Sequence, residues 1–187
     1  MPKKQATSRI IGGSLKGSKL PYRPNKFIRP TESKTKETLF NWLLNDLEGK
    51  NCLDMFAGTG SLGIEALSRG AKKVVFIEKQ KDLYESLLVN LKRLKVHDYG
   101  EVLRGNALSL DLEKLSLKFD LIFIDPPFRE NLVLPSIELI NSNDILPPNA
   151  LIYIECEKEL KLDDMTKGLK LLKQSTGGQT QYSLYES

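Results

Sequence analysis

A chain of 187 residues with 40% hydrophobic content holds enough apolar side chain for one domain with a substantial core and too little for two full ones. No run approaches the roughly 20 apolar residues of a membrane span, and the start Met1-Pro2-Lys3-Lys4-Gln5-Ala6-Thr7-Ser8 lacks the apolar centre of a signal peptide, so a cytoplasmic protein with no membrane partner is expected. The net charge of +4 is unevenly placed: residues 1–36 carry ten Lys/Arg against the single acid Glu32, a net +9, which leaves −5 on the remainder, as in a basic arm that draws a polyanion such as nucleic acid by counterion release.

The arm, residues 1–30, opens with Arg9-Ile10-Ile11 and Leu15 to Tyr22 around a Gly12-Gly13 turn signal, which predicts a short β-hairpin. Pro21, Pro24 and Pro30 then interrupt regular structure before a helix expected from Thr31 to Leu47, capped by Thr31 or Ser33. Its apolar face holds Leu39, Phe40, Trp42, Leu43, Leu44 and Leu47, and on that face Phe40 and Trp42 belong to a core. From residue 51, short apolar runs alternate with amphipathic segments, the pattern of a parallel sheet covered by helices. The expected strands are Cys52 to Phe56, Val74 to Glu78, Glu101 to Arg104, Leu121 to Asp125 and Leu151 to Glu155. Helices are expected at Leu62 to Arg69, Lys81 to Leu94 and Asn131 to Asn141, with a short one near Leu108 to Leu115. Leu169 to Lys173 and Gln181 to Tyr185, around Thr176-Gly177-Gly178, predict an antiparallel hairpin that closes the sheet. Residues 31–187 are thus a doubly wound, Rossmann-like α/β domain. Cys52 and Cys156 fall in strand-like runs as small hydrophobes, and with the Cys/His spacing of a zinc site missing, neither a disulfide nor a metal is expected. His97, the single histidine, falls at a helix end or loop and is not a candidate catalyst.

Leu53 to Gly63 runs from a strand through a glycine turn into a helix, where an open α/β sheet binds its ligand. Gly58-x-Gly60-x-x-Gly63 also fits the dinucleotide fingerprint, and Glu78 ends the second strand where an acid would hold ribose hydroxyls. Asp54 separates the two readings, because a carboxylate beside the turn repels a pyrophosphate and suits the cationic sulfonium and amino-acid end of S-adenosylmethionine. The cofactor candidates are Asp54, Phe56, Gly58, Gly60, Glu78, Asn106, Ala107 and Asp125, with Asn106-Ala107 where adenine would lie.

The fourth strand leads into Asp125-Pro126-Pro127-Phe128, the candidate catalytic residues. Two prolines make a stiff, extended corner whose carbonyls stay free to accept from a substrate amine. An exocyclic base amine is a poor nucleophile, and a carboxylate and a carbonyl that accept its two protons turn the nitrogen toward a methyl donor. Phe128 supplies a face on which a base stacks. By itself the corner fits any planar amine, so DNA adenine N6 or a protein amide remain alternatives, as does a non-catalytic ribosome-assembly protein that uses only its basic arm.

With these residues assembled, the chain resembles the RsmD family of bacterial methyltransferases. The likeness lies in Arg9-Ile10-Ile11-Gly12-Gly13, Arg29-Pro30-Thr31, Glu37-Thr38-Leu39-Phe40-Asn41-Trp42-Leu43, Leu53 to Gly63, Glu65-Ala66-Leu67-Ser68-Arg69, Asp125 to Phe128 and Tyr182-Ser183-Leu184-Tyr185. It implies a class I S-adenosylmethionine-dependent fold with a mostly parallel seven-stranded sheet. It also implies transfer of a methyl group to N2 of guanine 966 in the 16S ribosomal RNA, within the small ribosomal subunit or its assembly intermediate. S-adenosylhomocysteine would be the product, and a monomer is expected. The arm would contact RNA through Arg9, Lys16, Arg29, Thr31, Lys34 and Lys36. Where the family shows an acid and two arginines between Thr31 and Glu37, this chain has Ser33, Lys34 and Lys36, which keep phosphate contact and lose bidentate and stacking geometry.

Overall fold

A computed structural model describes residues 6–23, 33–44 and 46–187. The expected proline breaks at Pro24 and Pro30, the cap by Thr31 or by the Ser33 side chain, and the RNA candidates Arg29 and Thr31 lie outside what is described. In chain order, β1 (Ala6–Arg9) and β2 (Lys19–Tyr22) form an antiparallel hairpin, followed by α1 (Ser33–Trp42). Then come β3 (Asn51–Asp54), α2 (Ser61–Ser68), β4 (Lys73–Glu78), α3 (Lys81–Arg93), β5 (Gly100–Arg104), β6 (Leu121–Ile124), α4 (Val133–Ser142), β7 (Leu151–Glu157), β8 (Lys170–Gly177) and β9 (Thr180–Glu186).

The seven-stranded sheet has the order β5-β4-β3-β6-β7-β9-β8, parallel through β7 and antiparallel at β9 and β8. Its central strands are covered on both faces, which is why β6 is four apolar residues without a polar break. Side-chain alternation divides the core in two. Cys52, Phe76, Phe123 and Tyr153 pack with α1, α2, α3 and the N-terminal hairpin; Leu53, Ile77, Ile122 and Ile154 pack with α4 on the other face.

Several boundaries differ from the expectation for local reasons. Helix α1 ends at Trp42, and the chain turns away toward Gly49, whose N–H donates to the Gly70 carbonyl at 2.9 Å. The segment 108–115 forms two short 3-10 turns, Ala107–Ser109 and Leu112–Leu115, in place of one helix. Strands β8 and β9 run up to a two-residue turn at Gly178-Gln179, one position beyond the expected centre.

The largest difference is in the N-terminal hairpin. Residues 10–18 close it in a longer loop than a two-glycine turn: the Gly13 carbonyl accepts from the Lys16 N–H at 3.2 Å, and Gly12-Gly13 also dock on the end of α2. Glu65, fully buried on α2, accepts from the N–H groups of Ile11 at 2.8 Å and Gly12 at 2.7 Å, and pairs with Arg69 at 2.9 Å and Lys36 at 3.5 Å. The Lys36 ammonium also donates to the Arg9 carbonyl and, at 3.1 Å, to Ser61 Oγ. A Cβ on Gly13 would lie 1.8 Å from the Ser68 carbonyl oxygen, and its φ of 71° is left-handed, so this contact requires glycine. On the other side of the hairpin, Asn90 of α3 donates to the Pro21 carbonyl at 3.2 Å. Ile10 and Leu20 are consequently in the same buried cluster as Leu39 and Phe40.

Burial pulls the Lys36 ammonium below its ordinary range, and Glu65 opposes that shift. Removing one member of such a pair leaves the other charged and uncompensated. Glu65→Ala is therefore expected to lower the free energy of unfolding by about 3 to 5 kcal/mol, with Glu65→Gln milder because it keeps an acceptor for the Ile11 and Gly12 N–H groups. Urea unfolding checks this, and an unchanged midpoint for the alanine variant would overturn it.

Candidate functional site

The site follows from strand register. Asp54 of β3 lies level with Phe76 of β4 and Phe123 of β6, and Phe123 lies level with Tyr153 of β7. Because side chains alternate, all four point to one face of the sheet. Two residues further along, the same face carries Glu78, Asp125 and Glu155. Four acids from four adjacent strands thus gather at the carboxyl edge, on both sides of the β3–β6 seam where the strand order reverses. This is the topological switch point at which open α/β sheets bind ligands.

A cleft of about 760 Å³ lies over this edge, within the range of small-molecule sites. Its walls include all four acids, Phe56 and Gly58 of the glycine loop, Asn106 and Ala107 after β5, and the complete corner from Asp125 to Phe128. One expected member is missing. Gly60 does not line the cleft; it adopts φ 77° at the start of α2, and a Cβ there would lie 2.3 Å from Leu87 Cδ1. Its glycine shapes the turn and lets α3 pack close, between Thr59 and Ser61 of the cleft wall.

The backbone presets the acids. With no side chain at Gly60 to cap α2, Asp54 Oδ2 accepts from the Gly63 N–H at 3.1 Å, and the carboxylate faces the positive end of the helix. Glu78 accepts from the Gly58 N–H at 2.8 Å and the Gln80 N–H at 2.6 Å, which fixes the glycine loop against β4. Asn106 caps the turn after it, its Oδ1 accepting from the Leu108 N–H at 3.2 Å. At the other end, the Tyr153 hydroxyl donates to Glu155 Oε2 at 2.8 Å.

Burial and neighbouring charge act on these carboxylates. Burial pushes Asp54 up to about 7, held back by the Gly63 N–H and reinforced by the charges of Asp125 and Glu78. Glu78 is also raised, by burial against the N–H groups of Gln80 and Gly58. Among the described residues no three His, Cys, Asp or Glu side chains converge to hold a metal ion. The acids instead line the length of the cleft, a donor set that fits an extended organic cation of nucleoside size. S-adenosylmethionine is such a molecule, and Asp54, Glu78 and Asn106-Ala107 are the residues that could hold its charged end, ribose hydroxyls and adenine.

Of the expected RNA contacts, Arg9, Lys16 and Lys34 are exposed. Lys36 is not: at 2% exposure in its pair with Glu65 it has no surface to offer a phosphate, so its assignment is corrected to holding the hairpin. Sequence reasoning missed Glu155 and Thr180 in the cleft wall. Glu155 had a usable signal, an acid ending the fifth apolar strand as Asp125 ends the fourth, whereas Thr180 arrives through the antiparallel pairing of β9.

Comparison with known proteins finds relatives along nearly the whole chain. The family model described as conserved hypothetical protein 95 matches residues 8–186. The chain is 45% identical to the ribosomal RNA small subunit methyltransferase D of Haemophilus influenzae, over 100% of this chain and 97% of that protein. It is 40% identical to the protein of the same name in Escherichia coli K12, over 95% and 89%. Among solved structures, a putative methyltransferase of Escherichia coli, yhhF, superposes with a TM-score of 0.86 at 37% identity, covering 97% of this chain and 98% of that one.

The Asp54 shift has a stability consequence. Below about pH 4 its carboxyl is protonated folded and unfolded alike and costs nothing; as pH rises toward 7 the unfolded chain ionises first and folding weakens, by roughly 4 kcal/mol in the limit above pH 7. Asp54→Asn, which keeps an oxygen for the Gly63 N–H, is expected to stabilise the protein without cofactor at pH 8 and leave it unchanged at pH 4. Urea unfolding at the two pH values checks this, and an equal effect at both would show that ionisation is not the cause.

Proposed function

The chain belongs to the family of the ribosomal RNA small subunit methyltransferase D proteins, and from that premise we propose that it methylates N2 of guanine 966 in 16S ribosomal RNA from S-adenosylmethionine. The observation that carries this reading is the corner from Asp125 to Phe128 in the wall of a cleft lined with carboxylates. We take the substrate to be the small subunit or its assembly intermediate, and the enzyme to act as a monomer in the cytoplasm.

When bound, S-adenosylmethionine supplies a methyl group on a cationic sulfur: the N–C bond forms as the C–S bond breaks, its electron pair stays on sulfur, and S-adenosylhomocysteine leaves. What the protein adds is placement and charge. The Asp125 carboxylate and the Pro126 carbonyl accept the two N2 protons, which aims the nitrogen lone pair along the cleft and stabilises the positive charge that develops on it. The proton released afterwards passes through Asp125 to water. Pro126 is buried and Pro127 exposed, so the corner is fixed on its inner side and open to substrate on its outer side. Phe128, half-buried at the mouth, stacks on a base withdrawn from its RNA neighbours. Arg9, Lys16 and Lys34 meet phosphates, and Arg29 and Thr31 are assigned to the RNA by resemblance alone.

The test is incubation with labelled S-adenosylmethionine and small subunits from cells lacking the gene, with mass mapping of the modified nucleotide; label absent from the RNA would overturn the reading. Asp125→Ala is expected to reduce transfer by at least about a thousandfold while cofactor affinity stays within about tenfold, and unchanged turnover would remove Asp125 from the reaction. Replacing Arg9, Lys16 and Lys34 together by alanine is expected to flatten the slope of log affinity against log salt by about 2. Lys36→Ala should leave that slope unchanged and lower stability instead, and the reverse pattern would restore Lys36 to the RNA interface.

A further inference from the structure

Strand register sets two like charges against each other on the N-terminal hairpin. Arg9 of β1 and Lys19 of β2 are cross-strand partners, and alternation gives them a common face. The adjacent partners Ser8 and Leu20 take the inner face: Leu20 is fully buried, and the Ser8 hydroxyl meets Ser61 Oγ at 3.0 Å. Arg9 and Lys19 are both exposed on the outer face, with Cβ atoms about 5 Å apart. Like charges placed opposite each other weaken a hairpin, yet this pair is pinned at both backbones. The Lys36 ammonium donates to the Arg9 carbonyl, and the Arg93 guanidinium of α3 donates to the Lys19 carbonyl and, at 3.3 Å, to Asn90 Oδ1. Arg93, itself exposed, thus brings a third positive charge to the same place. Lys36 on the inner side is matched by Glu65, whereas among the described residues no carboxylate forms an ion pair with Arg9, Lys19 or Arg93.

We propose that Arg9, Lys19 and Arg93 form a site for a backbone phosphate of the substrate RNA. This rests on the methyl-transfer reading above and deepens it by giving the RNA strand a path across the outer face of the hairpin. A phosphodiester seated between the facing side chains of Arg9 and Lys19 replaces their repulsion with two charge-assisted contacts. The guanidinium offers paired N–H donors in a fixed plane and the ammonium a movable point charge, so together they close on a tetrahedral anion from two sides. Placement relative to the cleft follows from Ser8, the residue before Arg9, whose partner Ser61 lies in the cleft wall. The phosphate is therefore held on one side of the hairpin while the other side touches the cleft. Carboxylates line the cleft itself and repel a nucleic-acid backbone, so the cations that hold the strand belong outside it. Such a contact fixes where the strand lies and reads no base, which leaves recognition of the amine to the corner.

The informative variant is Lys19→Glu, which sets an opposite charge against Arg9 and keeps the backbone carbonyl that Arg93 holds. At low salt its urea midpoint should rise above that of the wild type. Its binding to small subunits from cells lacking the gene should weaken by roughly a hundredfold at about 0.1 M salt, with the slope of log affinity against log salt flattened by about 2. Lys19→Gln should raise the midpoint less and flatten the slope by about 1, a loss of roughly tenfold, and serves if the glutamate variant does not fold. Arg93→Gln should flatten the slope by a similar amount, whereas Lys19→Arg and Arg93→Lys should keep it. Lys173→Gln, on the exposed edge strand β8 at the other end of the sheet, is the control and should leave the slope unchanged. A gain in stability together with a loss of RNA affinity is a pattern that a merely structural residue does not produce. An unchanged slope in the Lys19 variants, a lowered midpoint accompanying their loss of affinity, or equal flattening by Lys173→Gln would each overturn the proposal. If the wild-type protein binds subunits with this dependence on Lys19 and transfers no label from S-adenosylmethionine, the phosphate site stands and it is the methyl-transfer reading that fails.

Discussion

The contact on which the arrangement depends is the pair of Glu65 with Lys36, two charges withdrawn from water at 0% and 2% exposure. Alone, either would be too costly to bury. Together with Arg69 and the N–H groups of Ile11 and Gly12 they form a closed set of donors and acceptors, and that set brings three separate segments together. The hairpin is attached through its backbone, α1 through Lys36, and α2 through Glu65 itself. Arg69 adds a contact over the Phe40 ring at 5.0 Å, which joins the charged group to the apolar core beneath it. The hairpin and α1 are in this way held at a defined place on α2.

The same network reaches the cleft through one side chain. Ser61, the first residue of α2, lies in the cleft wall and is bonded to Lys36 and, at 3.0 Å, to Ser8 of the hairpin. The basic hairpin and the glycine loop of the cleft therefore meet at a single hydroxyl. On the opposite side of the loop, Asp54 and Glu78 hold backbone N–H groups while the charges of Glu78 and Asp125 act against ionisation of Asp54. The cleft is stiff in shape and strained in charge, a combination suited to a positively charged ligand.

Most of this was legible in the sequence, and the exceptions have a common origin. The parallel strands and helices follow from local periodicity, and the glycine loop, Glu78 and the Asp125 corner are contiguous signals at strand ends. Lys36 was misjudged because a lysine in a basic run looks solvated, and its partner Glu65 is 29 residues away on another helix. The Gly12-Gly13 pair lies in the hairpin loop, but glycine marks close approach as well as turning, and what approaches is the end of α2, distant in sequence. Gly60 matched a fingerprint position, and only the packing of Leu87 shows which side of it is occupied. Glu155 carries the same local signal as Asp125, an acid at the end of an apolar strand, and the register of β7 with β6 brings it into the cleft wall.

The seam between β3 and β6 has a bearing on how the molecule assembles. Cys52 pairs with Leu121 across it, so the centre of the sheet joins segments far apart in the chain, the kind of contact that forms late and slows folding. The glycine loop with β4 and β5 can gather locally on one side, and the corner with β7 and β9 on the other. A molecule that bridges the seam binds only after both halves have met, and by mass action it stabilises that joined state over every partly assembled one. Occupancy of the cleft thus doubles as a check on the completed sheet.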